Sequence, residues 1–171
     1  KIKYSTRSVN NFWLTLPKPF FVLAPMADVT DAAFRRVIAS KGKPDAMFTE
    51  FVSADGLARA PEEGRKKLLK DLIYTEAERP IVAQFFTSNP EHMRQAAALA
   101  QELGFDGVDI NMGCPDKSIE KQGAGAALMK NPALARELIK SSKQGAPRLP
   151  VSVKTRIGFN APELETWLPE I

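Results

Sequence analysis

Asp109-Ile110-Asn111-Met112-Gly113-Cys114-Pro115 carries an apolar strand out into a turn that holds the only cysteine of the chain. The amide of Asn111 can both donate and accept hydrogen bonds, Gly113 allows a backbone path closed to other residues, and Pro115 ends sheet pairing. A lone cysteine is commonly a small buried hydrophobe. Its place between glycine and proline, just past a strand, argues instead for a loop, and loops on a rigid scaffold are where reactive side chains gather.

Outward from this turn, Gly107-Val108-Asp109-Ile110-Asn111 is the fourth of five strand-like runs. The first is Phe20-Phe21-Val22-Leu23-Ala24, a continuous apolar run bounded by prolines, as expected of a strand buried on both faces. Ala46 to Val52 is the second, Pro80 to Phe86 the third and Val151 to Arg156 the fifth. Helical patterns fill the intervals. Asp28 or Thr30 is placed to cap a helix with Phe34, Val37 and Ile38 on one face and Gly42 as its stop. Leu68, Leu69, Leu72 and Ile73 form the buried stripe of a charged helix from Glu62 to about Ile73, with Arg65 to Lys67 on its solvated face. Ser88 or Asn89 caps a helix carrying Met93, Ala96, Ala97, Ala100 and Leu103, which Gly104 closes. Asn131-Pro132 opens another through Lys140, and Glu163 to Leu168 begins a helix cut short by Pro169.

Five strands with intervening helices require a parallel sheet. No G-x-G-x-x-G follows the first strand, which counts against a dinucleotide-binding open sheet. Polar residues fall at strand C-terminal ends: Asp28, Glu50, Gln84, Asn111 with Cys114, and Lys154 with Arg156. In a barrel those ends converge on one mouth, where the active site lies. The expected fold is a parallel (β/α)8 TIM barrel, with about the first five βα units in residues 20–171 after an N-terminal extension over residues 1–19. A whole barrel takes about 250 residues, so the 171 residues read as part of a longer chain.

The composition, 44% hydrophobic and 26% charged, is that of an ordinary globular protein and excludes a disordered or membrane-embedded class. The apolar stretch Phe12 to Met26 is broken by Pro17, Lys18, Pro19 and Pro25, so it reads as neither a spanning helix nor a signal peptide. One cysteine makes no internal disulfide, and a cytoplasmic location is the expectation. A net charge of +4 and a pI near 9.2 permit an anionic partner such as RNA without demanding one. No metal site and no membrane association are expected.

The motifs together resemble the tRNA-dihydrouridine synthase family. The resemblance is carried by Leu23-Ala24-Pro25-Met26-Ala27-Asp28-Val29-Thr30-Asp31, Val82-Ala83-Gln84-Phe85, the Asp109 to Pro115 turn, the Lys117 to Met129 loop and Val153-Lys154-Thr155-Arg156-Ile157-Gly158. It implies a flavoenzyme that reduces the C5=C6 bond of a uridine in tRNA, with FMN at the barrel mouth and NADPH as reductant. On this resemblance Pro25, Met26 and Ala27 lie against the flavin ring through their backbone, and Gln84 and Lys154 hydrogen-bond the flavin. Asn111 helps to place the uracil, and Cys114 protonates C5. Later strands with the FMN phosphate site and a flavin-contacting histidine, and a helical tRNA-gripping domain, are expected beyond residue 171.

The chemistry of the residues agrees with these roles. Hydride addition beside a carbonyl builds negative charge that a positioned proton donor removes. An ordinary thiol, with a pKa near 8.5, is mostly protonated at neutral pH and can be that donor without special tuning. A lysine at Lys154 brings positive charge to where a reduced flavin accumulates negative charge, although a strand-end lysine is also commonly just solvated. Gln84 within an apolar run must find partners, from a flavin edge or a neighbouring backbone. Arg156 reaches substrate or flavin, or else pairs with Glu50 or Asp109; Glu50 itself has no assigned role. Lys117, Lys121 and Lys130 flank the cysteine loop and are placed to meet tRNA phosphates, or to be solvated. Gly123 and Gly125 would let that loop move. His92 reads as a surface residue away from the mouth. The rivals are an FMN-dependent dihydroorotate or dihydropyrimidine dehydrogenase and a truncated, non-catalytic barrel. Open edges predict that residues 1–171 alone bind FMN poorly and associate.

Overall fold

A computed structural model describes residues 11–171. Its sheet contains β1 (Val22–Leu23), β2 (Ala46–Ser53), β3 (Ile81–Phe86), β4 (Gly107–Met112) and β5 (Val151–Thr155), all parallel and in spatial order β1-β2-β3-β4-β5. Between them run α1 (Ala32–Gly42), α2 (Ala54–Arg59), α3 (Glu62–Lys70), α4 (Pro90–Glu102), α5 (Lys117–Glu120) and α6 (Pro132–Gly145), and α7 (Leu164–Trp167) follows β5. A doubly wound sheet reverses its strand order at a switch point. Here the order never reverses, and the curled sheet is the first five βα units of a TIM barrel.

Side-chain alternation along the strands separates two faces. Ile81, Ala83 and Phe85 of β3 and Val108, Ile110 and Met112 of β4 pack outward with Met93, Ala96, Ala97 and Ala100 of α4 and Ala135 and Leu138 of α6. The small residues let the two helices approach closely. A Cβ on Gly145 would stand 2.1 Å from the carbonyl oxygen of Arg94, so only glycine fits at the end of α6. The opposite face carries Val82, Gln84, Asp109 and Asn111, three of them polar and all buried. At its lower end lie Phe12 and Trp13, from the expected N-terminal extension. Trp13 packs against Phe20 and Phe48, and a Cβ on Gly107 would lie 3.3 Å from Phe12 Cε1. The first ten residues of that extension lie outside the described residues.

The helix caps follow from local chemistry. Asn89 Oδ1 accepts from the backbone N–H groups of Glu91 and His92, and Asn131 Oδ1 accepts from Leu134. For α1 the cap is Asp31, whose Oδ1 accepts from Phe34 N at 2.7 Å, not Asp28 or Thr30 as expected. Those two residues belong to the preceding turn.

Other expectations are corrected by packing. β1 is only two residues long and pairs with β2 alone, so Phe20, Phe21 and Val22 are exposed and the run is not buried on both faces. Without a covering partner, Phe34 and Val37 of α1 are exposed too; the one buried side chain of that helix is Arg35. The charged helix ends at Lys70, leaving Leu72 buried and Ile73 exposed in the turn that follows. A separate short helix, α2, precedes it, capped by Ser53 Oγ accepting from Gly56 N.

Candidate active site at the C-terminal ends of the strands

The turn after β1 is held by side chains from three directions. Asp28 has φ +57°, and Thr30 Oγ1 accepts from Met26 N at 3.0 Å while donating to Met26 O at 3.1 Å. Glu50, midway along β2 where the register with β3 shifts, accepts from Asp28 N at 2.5 Å. Burial pushes the Glu50 carboxyl above its ordinary range, with the Asp28 hydrogen bond opposing and the nearby Asp71, Asp28 and Asp31 charges adding to the rise. From outside, Arg35 donates through Nη1 to Thr30 O, through Nη2 to Ile73 O and through Nε to Glu78 Oε2. Pro25, Met26 and Ala27 thereby sit on a braced turn.

The turn after β4 is self-braced. Asn111 Oδ1 accepts from Gly113 N at 3.1 Å and from Cys114 N at 2.9 Å, which uses its acceptor within the turn and leaves the Nδ2 amide group as donor. Gly113 is not among the glycines of positive φ; what favours glycine is proximity to β5, since a Cβ would lie a tight 3.3 Å from the carbonyl carbon of Thr155. Cys114 is half-buried, and its carbonyl accepts from Ala126 N. Gly125, at φ +60°, is buried beneath it, where a Cβ would stand 2.6 Å from Cys114 O. Together with buried Ala124 and Ala126, this makes the glycine-alanine loop a packed support for the cysteine turn rather than a mobile one.

Between the turns, three strands place Gln84, Asp109 and Ser152 in register on the inner face. Gln84 Nε2 donates to Asp109 Oδ2, and Ser152 Oγ donates to Asp109 Oδ1, each at 2.6 Å. Burial pushes the Asp109 carboxyl up to about 6, against the pull of the Ser152 and Gln84 hydrogen bonds and the Lys154 charge. Gln84 Oε1 is buried and has no hydrogen-bond partner among the described residues.

A cavity of about 420 Å³ opens on this face and runs from Trp13, Phe20 and Phe48 at the lower end of the sheet up past Asp109 and Ser152 to Pro25 and Lys154. Small-molecule sites run from roughly 300 to 1,000 Å³ with apolar walls and a few polar groups. The cavity therefore brings together Pro25 and Lys154 from the expected site. Gln84, Asn111, Met26, Ala27, Cys114, Lys117 and Arg156 lie outside its lining. Arg156 is exposed beyond β5 and pairs with neither Glu50 nor Asp109. Lys117 is exposed at the start of α5, and with Lys121, Lys130 and Phe159 it lines a second hollow of about 420 Å³. Lys130 Nζ sits 3.6 Å from the Phe159 ring centroid.

His92, expected at the surface, is half-buried. Its Nδ1 lies 2.6 Å from Asp55 Oδ1, and Thr87 Oγ1 donates to Asp55 Oδ2. Burial pushes the Asp55 carboxyl up, but the Thr87 and His92 hydrogen bonds outweigh it and hold the group below its ordinary range. These three residues tie the start of α2 to the loop after β3 and the first turn of α4. No spacing signal could have paired Asp55 with His92. Among the described residues no group of three or more His, Cys, Asp or Glu is placed to hold a metal ion, and no helix is long and apolar enough to cross a membrane.

The family model described as dihydrouridine synthase (Dus) matches residues 22–168, a span that runs from β1 through α7 and includes both braced turns and the polar ladder. The chain belongs to the dihydrouridine synthase family. A protein named probable tRNA-dihydrouridine synthase 2 from Bacillus subtilis is 46% identical over 162 residues, covering 94% of this chain and 49% of that relative. Proteins named probable tRNA-dihydrouridine synthase from Staphylococcus epidermidis and Staphylococcus aureus are 42% and 41% identical over the same length, with 48% of each covered. This dihydrouridine synthase chain spans about half the length of the curated relatives it matches.

Proposed function

We propose that this chain is the first part of the catalytic barrel of an FMN- and NADPH-dependent enzyme that reduces the C5=C6 bond of a uridine in tRNA to dihydrouridine. The observation that carries the flavin assignment is the buried, unpartnered Gln84 Oε1, whose amide is bonded to Asp109, a residue that lines a cavity of small-molecule size together with Lys154. A buried amide without a partner costs about 1–3 kcal/mol, and a cofactor edge recovers that cost. The relatives' names supply the substrate class.

When bound, FMN supplies the hydride that adds to C6, and NADPH restores the reduced flavin. The residues of this chain hold the reactants and move the proton. Pro25, Met26 and Ala27 present backbone on a turn that Thr30, Glu50 and Arg35 keep rigid. Lys154 places a positive charge at the cavity rim, and Gln84 offers its acceptor. Asn111, its Oδ1 already used within the turn, donates through Nδ2 to a carbonyl of the uracil. Cys114 gives the proton of its Sγ–H to C5 as hydride reaches C6, so the double bond gains one hydride and one proton and charge balances. Lys117 and Arg156, both exposed on the same rim of loops, meet tRNA phosphates.

Replacing Cys114 by alanine in the full-length protein tests the proton role. FMN binding and flavin reduction by NADPH are expected to persist, while dihydrouridine formation in tRNA falls roughly 10²–10⁴-fold, the usual worth of a positioned general acid. Undiminished dihydrouridine formation removes Cys114 from the chemistry. Reduction of free uracil or dihydroorotate in place of tRNA would instead point to a dehydrogenase of free pyrimidines.

A further inference from the structure

The interior of a TIM barrel is ordinarily filled by branched apolar side chains. Here one interior layer is Gln84, Asp109 and Ser152, drawn from β3, β4 and β5 at matched register. Gln84 is 0% and Asp109 2% exposed. Burying a carboxylate is costly unless its oxygens are paired, and here both are, one by Gln84 Nε2 and one by Ser152 Oγ.

The pairing decides which end of the Gln84 amide is left over. Exchanging Oε1 and Nε2 would set a carbonyl oxygen 2.6 Å from an ionised carboxylate oxygen, two acceptors facing each other with no proton between them. An ionised Asp109 therefore holds Nε2 toward itself and turns Oε1 away, and Oε1 is the atom that finds no partner. Ser152 locks the carboxylate in turn, so the orientation runs through a chain of three side chains on three strands. The layer ends in an acceptor and demands a donor. Oxidised isoalloxazine has one N–H on its ring system, the imide N3–H between its two carbonyls.

Resting on the flavin reading above, we infer that Asp109 is a positioning residue: it fixes the polarity of the Gln84 amide so that Oε1 accepts the flavin imide N3–H, and Ser152 holds Asp109 for that task. Asp109 does not itself touch the cofactor. Its effect passes through Gln84, which makes the two residues energetically one unit.

The experiment compares FMN with N3-methyl-FMN, which cannot donate at N3, in fluorescence-quenching titrations of the full-length protein. Wild type is expected to prefer FMN by about tenfold, the worth of a hydrogen bond at the upper end of the usual range. Asp109→Leu and Gln84→Met are each expected to bring that ratio close to one, and the double variant to lose no more FMN affinity than either single variant. Asp109→Asn, which keeps the hydrogen bonds but no longer forces the amide's direction, is expected to fall between. A tenfold preference that survives in Asp109→Leu overturns the inference while leaving the flavin site standing. So do losses that multiply in the double variant, because Asp109 then acts independently of Gln84. A wild type that binds FMN and N3-methyl-FMN alike assigns Oε1 to a buried water and overturns it too. A full-length protein that takes up no FMN overturns this inference together with the flavin reading. Far-ultraviolet circular dichroism of each variant separates loss of fold from loss of the contact, and Asp109→Asn, the least disruptive change, carries the test if Asp109→Leu fails to fold.

Discussion

The Arg35–Glu78 pair and the Gln84–Asp109–Ser152 ladder are both polar and buried at their centres, and their wiring differs at one atom. Arg35 and Glu78 are both 0% exposed, 43 residues apart, and each side-chain nitrogen and oxygen of the pair has a protein partner: Thr30 O, Ile73 O, Thr75 and each other. Gln84 and Asp109 are buried as deeply, with Ser152 half-buried beside them, but Gln84 Oε1 is left open. The first cluster joins α1 to the loop before β3 and braces the turn after β1. Asp109 and Ser152 of the second line the cavity. In the first cluster every side-chain nitrogen and oxygen is held by protein; in the second one acceptor is left over, and the proposed flavin reading rests on it.

Arg35→Met should give the largest change. Removing one partner of a buried ion pair strands the other charge, at about 3–5 kcal/mol, and urea unfolding should show that loss. If stability drops by less than about 1 kcal/mol, the Arg35 cluster is not the structural member of the pair.

Asp109→Asn should move stability the other way. Burial raises the carboxyl from an ordinary 3.8 to about 6, so the folded state holds the proton more tightly than the unfolded chain. Its favourable contribution is complete below about pH 4 and is lost as pH rises through 6. Ionising the buried group near neutrality therefore costs about 3 kcal/mol. Asp109→Asn should accordingly raise the urea midpoint at about pH 7.5, above both values, and leave it unchanged at about pH 4. A variant equally stable to wild type under both conditions would show that the ladder carries no strain from burial, and would erase the contrast in energy between the clusters. A site that holds an ionised group against stability is the usual trade of function for stability.

Ser152→Ala removes one hydrogen bond to the carboxylate. It should cost about 1 kcal/mol above neutrality and less in acid, where the charge it serves is absent. An equal loss under both conditions would mean that Ser152 packs rather than pairs.

Phe21→Ser lies outside both clusters, at a β1 edge where the side chain is 73% exposed, and should change stability by no more than about 0.5 kcal/mol. Its effect should fall on association. The 171-residue chain, with β1 and β5 each paired on one side only, is expected to self-associate in sedimentation experiments, less so with Phe21→Ser.

The parts of the fold legible from the sequence were those set by near neighbours. β2 through β5 lie within a residue or so of the runs read for them, and Asn89 and Asn131 cap α4 and α6 as expected. The expectation for β1 was wrong because an apolar run states what a strand would bury, not whether a partner is there to bury it. Six-residue α2, with Gly56 inside, is too short for a helical period to emerge. In the candidate site, Cys114, Asn111, Gln84 and Lys154 stand out by residue type at strand ends. Asp109 reads only as a possible partner of Arg156, and nothing in the sequence links Asp55 with His92.

What the sequence by itself determined was local: the period of each strand and helix, the glycine and proline punctuation, and the cap at each helix start, all interactions within a turn or two of chain. Only the tertiary structure decided which inner-face residues meet. Gln84 and Ser152 reach Asp109 across 25 and 43 residues of chain, and a slip of one residue in either strand pair would point Asp109 or its partner to the opposite face. The register of three parallel strands, set by the outer face packing against α4 and α6, is what turns three ordinary polar residues into one hydrogen-bonded unit with a single open acceptor.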